Sequence, residues 1–331
     1  REVDVVGAIL SILGMGGIVL SILVWQEGGE AVGVLMVIGL AAMFLFASWL
    51  VRRKKQGKPA LIDPDLFKSI YFRLGITEQM LQNISLGGMM IALPIYFQMV
   101  FEYTAMETGF AIAPMSLSIF AVALLAGRKA GKRRPSRIIQ IGFGTLFVGV
   151  LFLIPLVPHA DSGLAFLIPL MIAGSGLGLL VSQLNNYTLS PISEERVSEA
   201  AGVNSASGSF GLSFGLAFAG AMMLATLAFS FTNMAEASTV LTPEQQVQVA
   251  QALEVDAEIM SNTQLEEQLV GQPPEVQAEI IRINAEARFF ALQVALMVPL
   301  LAALLGFLNS FRMVKLPDLK PSSAVEGLLL G

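Results

Sequence analysis

Residues Pro169–Gly220 read PLMIAGSGLGLLVSQLNNYTLSPISEERVSEAAGVNSASGSFGLSFGLAFAG. Two apolar segments flank a short charged turn, Pro191–Glu199. The first holds Gly174, Gly176 and Gly178, then Gln183, Asn185, Asn186 and Tyr187. The second carries a ladder of small residues: Gly202, Ser205, Gly208, Gly211, Gly215 and Gly220. Apolar runs of this length, with small residues along one side, are the pattern of packed transmembrane helices. Polar residues inside such runs are costly toward lipid, so they belong in the bundle interior or against a wet cavity. The fold class that follows is an all-α integral membrane protein.

The rest of the chain agrees. Of its 331 residues 55% are hydrophobic and 14% charged, against roughly 25% charged in an average globular protein. Cysteine is absent, and histidine occurs once, at His159 in a short turn where it is expected to be solvated. Disulfide frameworks, thiolate metal sites and histidine clusters are thereby excluded within the chain. No acid–base pair or metal-ligand cluster falls at membrane depth, so neither a cofactor nor enzymatic chemistry is expected. The first residue is Arg1 and no cleavable leader precedes the first apolar run, which leads us to expect a piece of a longer or processed protein.

Eight segments are long enough to span, at about 5–25, 31–51, 76–100, 107–127, 137–157, 164–189, 200–232 and 288–311. They are continuous rather than alternating, which argues against a barrel. Pro94, Pro114, Pro155, Pro169 and Pro299 fall within them and suggest kinks rather than breaks, since neighbouring groups in a bundle can satisfy freed carbonyls. With the N-terminus on one side, eighteen of the twenty Lys and Arg fall on that side. Such a split marks it as cytoplasmic and places both ends of the chain there, in a multi-pass protein of the cell membrane. The expected organisation is a transmembrane hairpin over 1–51, a cytoplasmic linker over 52–75, and a six-helix unit over 76–331.

The other side holds short turns and one long acidic insertion, 233–287, with ten Asp or Glu from Glu236 to Glu286 against Arg282 alone. Thr242-Pro243-Glu244 is a helix start, and Val247, Ala250, Leu253, Ala257 and Met260 follow at helical spacing. Pro273-Pro274-Glu275 opens a second amphipathic stretch with Val276, Ile280 and Ile283. The expectation is two short helices over the outer mouth, either a solvated loop or a lid.

Apart from Glu107, Arg137 and Arg288, each the first residue of its span, Glu78 is the only charged residue inside the expected spans, and it stands one turn past Arg73. A carboxylate at that depth is either a proton or substrate site or a structural acid near a helix start. Glu78, Gln82, Ser85 and Met89 share one helix face, with Asn83 beside it. Gln183, Asn186 and Tyr187 share a face of the sixth span, opposite Asn204, Ser205 and Ser207. Each set can be a cavity wall or polar contacts between helices. Met89, Met90, Phe97 and Met99 can line an apolar pocket or simply pack. Gly174, Gly176 and Gly178 have the wrong spacing and context for a dinucleotide fingerprint, so close helix packing explains them. The basic stretch Gly127, Arg128, Lys129, Lys132, Arg133, Arg134 and Arg137 follows a span, so it is expected to orient the chain and meet anionic lipid, not nucleic acid.

Several stretches together resemble the C-terminal part of a major facilitator superfamily exporter of the fourteen-helix drug:proton antiporter branch. They are the opening hairpin, IDPDLFKS at 62–69, LPIYFQMVFEYTAMETGFAIAP at 93–114, GLGL with NNYTLSPIS at 176–193, and EAAGVNSASGSFGLSFGLA at 199–217. The resemblance covers about 1–232 well and the last helix loosely. It implies a central inserted hairpin, a second six-helix half, and a six-helix N-terminal half that this chain lacks. It also implies alternating access, export of hydrophobic or amphipathic compounds, and coupling to protons. The matching basic loop has Gly131 where the family's motif has Asp, so that acid's role does not carry over. Without the resemblance, the residues also admit a non-transporting eight-helix scaffold or assembly partner.

Overall fold

The structure is a computed structural model that describes residues 4–26, 29, 31–58, 60–128, 133–256, 261–317 and 319, with backbone alone for 253–256. The described residues form ten α-helices joined by turns and short 3₁₀ segments. They are α1 Val5–Gln26, α2 Val32–Lys55, α3 Ile70–Val100, α4 Ala105–Arg128, α5 Pro135–Leu156, α6 Leu167–Leu189, α7 Val197–Glu236, α8 Pro243–Asp256, α9 Asn262–Gln268 and α10 Pro274–Lys315. Eight of them, all but α8 and α9, are long and apolar enough to cross a membrane. The chain is an all-α, multi-pass membrane protein with the eight spans expected.

Two groups of three helices meet through α10 against α5 and α3 against α6. α3 packs along α7 and α10, and α6 packs between α4 and α5. α10 also lies against α5, and the α1–α2 hairpin docks through α1 on α7. Small residues set these pairings, because in lipid the gain comes from close packing rather than from water release. A Cβ on Gly87 of α3 would stand 2.5 Å from the Leu212 carbonyl oxygen of α7. Gly211 and Gly215 of α7 sit as tightly over the backbone of Met80 and Ile84. On α6, Gly174 and Gly178 meet α4 at Met115 and Ile119, while Gly176 meets α5 at Gly142 and Leu146. Gly174, Gly176, Gly178, Gly211 and Gly215 of the opening stretch are therefore packing sites on three different neighbours.

Each end has its own tie. At the basic end, the 3₁₀ turn Pro64–Lys68 is capped by Asp63, whose side chain accepts from Asp65 N–H. Lys54 of α2 pairs with both Asp63 and Asp65. Arg196 reaches Asp63 at 3.2 Å, and Glu199 of α7 accepts from Asp63 N–H at 2.5 Å. At the acidic end, Tyr96, Phe97, Phe101, Tyr103 and Phe166 form one ring cluster, with Phe97 and Phe166 centroids 5.3 Å apart. The Tyr96 hydroxyl donates to the Val157 carbonyl at 2.9 Å.

Several boundaries differ from expectation. α3 begins at Ile70, inside the expected linker, because Ser69 caps it by accepting from Phe72 N–H. The stretch opened by Pro274 is no separate short helix: it is the first part of α10, which runs unbroken for 42 residues. Its apolar residues Val276, Ile280, Ile283, Ala287 and Ala291 continue at helical spacing through the expected break, with no Gly or Pro to stop it. α8 fits the expected first helix of the insertion, although Ala257 and Met260 lie outside the described residues. The second short helix is α9 instead, opened by a reciprocal Ser261–Gln264 capping box.

Candidate polar sites of the helical bundle

The face of α3 singled out in the sequence is buried as a whole: Glu78, Gln82, Ser85 and Met89 are all inaccessible or nearly so. It is directed at α10. Asn309 Nδ2 donates to Glu78 Oε1 at 3.0 Å, and Ser85 Oγ donates to the Pro299 carbonyl at 3.1 Å. Glu78 Oε2 and Gln82 Oε1 have no hydrogen-bond partner. Asn83 is set apart from this face. It is half-buried, bonds back to the Gln79 carbonyl, and lies with Gln79 against Gly208 of α7.

On α6, Gln183, Asn186 and Tyr187 are likewise buried. The Tyr187 ring lies 5.8 Å from that of Tyr71, whose hydroxyl donates to the Pro317 carbonyl at the end of α10. One residue on, Thr188 packs against Gly75 of α3, so no side chain fits between the two backbones there. Gln183 Nε2 and Asn186 Oδ1 have no hydrogen-bond partner. Buried polar atoms are usually satisfied, so this concentration on α3 and α6 marks the region as unlike ordinary core.

Across the α6–α7 turn Asn204 Nδ2 donates to Asn185 Oδ1 at 2.6 Å, not to the Gln183, Asn186 and Tyr187 face that the sequence set opposite it. Ser207 instead donates to the Ile76 carbonyl of α3. Ser205 is exposed, and so are Gly202, Ala206, Ser209 and Ser213 along α7. Between Met297 and Phe311 the exposed side chains of α10 are of another kind: Met297, Leu301, Leu305, Leu308 and Phe311.

Of the proposed apolar pocket, Met89 and Phe97 are core and Met90 is 51% exposed. Met99 lines a small cavity with Tyr96, Met223, Leu227 and Arg288. Arg288 is a correction to the sequence reading, in which Glu78 alone was charged beyond the first residue of a span. It is buried in α10 and donates to the Met99 carbonyl at 2.9 Å. Its signal was a single cation at the edge of an apolar run, easily taken for a boundary marker.

Two further polar contacts were not legible in advance. Glu102, in the turn between α3 and α4, has φ of 54° and accepts from both Thr263 N–H and Thr263 Oγ at 2.7 Å. Asn262 then accepts from Asn284 of α10, which ties α9 down at two points. In the basic loop, Gly127, Arg128 and Arg133 are exposed, and Lys132 lies outside the described residues. Arg134 donates to the Val314 and Leu316 carbonyls, capping the end of α10 where a cation is favoured. His159 is exposed as expected. Among the described residues no group of three or more His, Cys, Asp or Glu could hold a metal ion.

Comparison with known proteins places these features in a family. The model described as Major Facilitator Superfamily matches residues 4–216. Multidrug resistance protein Stp of Mycobacterium tuberculosis is 29% identical over 230 residues, covering 69% of this chain and 42% of that protein. A probable actinorhodin transporter of Streptomyces coelicolor is 24% identical over 229 residues, covering 68% and 40%. Multidrug export protein EmrB of Escherichia coli is 26% identical over 212 residues, covering 62% and 40%. In each case the matched part is less than half of the relative's length.

Proposed function

The chain belongs to the Major Facilitator Superfamily, and on that premise we propose that it acts as the second half, with an inserted hairpin, of a membrane exporter. In this reading 1–51 is the hairpin, 52–75 the linker, and 76–331 the transporter half with its extracytoplasmic insertion at 233–287. The basic end and both ends of the chain face the cytoplasm. A six-helix N-terminal half completes the transporter, and the two rock about a cavity between them. The substrate is a hydrophobic or amphipathic small molecule, and protons drive its export. The relatives named for multidrug resistance and multidrug export support this class.

The carrying observation is the exposed line Gly202, Ser205, Ala206, Ser209 and Ser213 on α7. Hydroxyls at membrane depth are poorly served by lipid and well served by another helix or by water. The same end of the bundle holds Asn83, Asn185 and Asn204, and the buried Glu78, Gln82, Gln183, Asn186 and Tyr187. Few charges and many amides suit a greasy solute better than a sugar or a polyvalent anion. A scaffold would have no need of a polar open face along a spanning helix.

The test is transport by the full-length protein in vesicles with an imposed pH gradient and a fluorescent amphipathic dye. Gradient-dependent dye movement supports the reading. Its absence with correctly inserted protein contradicts it. Gln82→Ala combined with Asn186→Ala should cut dye movement at unchanged membrane abundance, and unchanged movement removes both from the site.

A further inference from the structure

Glu78 and Gln82 are one helical turn apart on the same face of α3, which makes their side chains neighbours. Both are buried, and Glu78 is 0% exposed. Glu78 Oε1 accepts from Asn309, but Glu78 Oε2 and Gln82 Oε1 are two acceptors that meet no donor. An ionised carboxylate can only accept, whereas a protonated one carries an O–H donor. One proton on Oε2 supplies a donor where neither of these two acceptors meets one. We propose that Glu78 is a proton-carrying group of this half, held neutral in the packed state between Asn309 and Gln82.

The surrounding charges fit a neutral acid. Among the described residues no cation pairs with Glu78. From α10, Arg312 and Lys315 are exposed; on α3 itself Arg73 is exposed. α7 carries no charged residue between Glu199 and Glu236. α4 offers only Glu107 and Arg128, both exposed, and the 3₁₀ turn Pro64–Lys68 pairs its own Asp65 and Lys68. From α6 the one titratable neighbour at this end is Tyr187, whose ring rests on Tyr71. A buried ion with no partner is the costly case, and protonation is how such groups escape it.

The placement also separates the proton from the solute. Glu78 and Ser85 bond to α10, whereas Gln79 and Asn83 lie against Gly208 of α7. Loading forms one O–H bond on Oε2, and unloading breaks it. The carboxylate left behind can persist only if water reaches this face, which requires α3 and α10 to part. Glu78 therefore acts on the packing of α3 against α10 and does not compete with solute for the same atoms. Asn309 is a positioning residue in this account.

The role in transport rests on the exporter reading, but protonation can be measured apart from it. In the full-length protein at neutral pH, the infrared spectrum of wild type minus Glu78→Gln should show a protonated-carboxyl C=O stretch. Its absence overturns the proposal. Asn309→Leu should keep that band but shift its frequency, since the donor to Oε1 is gone; an unmoved band removes Asn309 from the account. Glu78→Gln mimics the neutral acid, so membrane abundance should match wild type, and a collapse in abundance would point to a structural anion. In vesicles, Glu78→Gln should lose gradient-driven dye transport, while dye exchange without a gradient persists. Retained gradient-driven transport overturns the coupling role. If wild type shows no gradient-driven transport, the exporter reading fails, and the infrared band still decides whether Glu78 holds a proton.

Discussion

Asp4 and Trp49 lie 45 residues apart and are joined by a 3.0 Å hydrogen bond from the indole Nε1 to Oδ1. The same carboxylate accepts from Gly7 N–H and from Leu61 N–H, each at 2.9 Å, with Arg53 at 3.5 Å. One buried acid thus caps α1, holds the end of α2, and ties both to the chain leading into α3.

Removing the indole donor should loosen the hairpin. Hydrogen bonds to charged groups contribute about 1.5–3 kcal/mol, so Trp49→Phe should lower stability by about that much. Hydrogen exchange in α1 measures it, and unchanged protection would contradict the latch. The same contact predicts a pH effect. Burial alone would raise the Asp4 carboxyl, but the bonds from Trp49, Gly7 and Leu61 and the charge of Arg53 outweigh it and hold it below the usual 3.8. A depressed carboxyl contributes stability above its unfolded value and loses it as pH falls through the folded one. Hairpin protection should therefore fade only in acid, below that usual value.

Much of the architecture could be read in one dimension, and the missing parts have physical causes. Continuous apolar runs located all eight spans, because span length is set by bilayer thickness. Gly174, Gly176 and Gly178 were legible as packing residues, but not that they serve two different neighbours. Helix partners in lipid are chosen by shape, which spacing along one helix does not report. Glu78 was legible as an acid at depth; its donor Asn309 lies 231 residues away. The join of Pro274 to the last span was missed because two prolines read as a fresh start, and Pro at a first turn is equally the start of a long helix.

The packing of α3 against α7 gives a sharp contrast between glycines. A Cβ at Gly87 would meet backbone atoms of Leu212 and Leu216, which cannot swing away. Gly87→Val should cost about 1–3 kcal/mol or more by overpacking and lower membrane abundance. Gly202→Ala on the open side of α7 meets nothing within 4 Å and should leave abundance unchanged. Equal abundance of the two variants would contradict the close approach.

The contact of Glu102 with Thr263 predicts a pH-sensitive hold on α9. The bonds from the Thr263 side chain and backbone keep the Glu102 carboxyl below its usual 4.5. The hold is present above that value and is lost as pH falls through the depressed one. Thr263→Val removes one of the two donors and should speed hydrogen exchange in α9 at neutral pH, with a smaller further change on acidification than in wild type, because the backbone donor remains. An α9 equally protected in both proteins would show that Glu102 does not restrain it.

The central claim is that the open face of α7 borders a cavity that changes its exposure during transport. The direct measurement is maleimide labelling of Ser209→Cys in the full-length protein, in a background free of other cysteines, with Leu305→Cys on the outer face of α10 as the lipid-facing control. The account predicts that Ser209→Cys reacts with a membrane-impermeant reagent at a rate that changes when substrate is added, while Leu305→Cys stays inert. Equal inertness of both positions, with and without substrate, would contradict it.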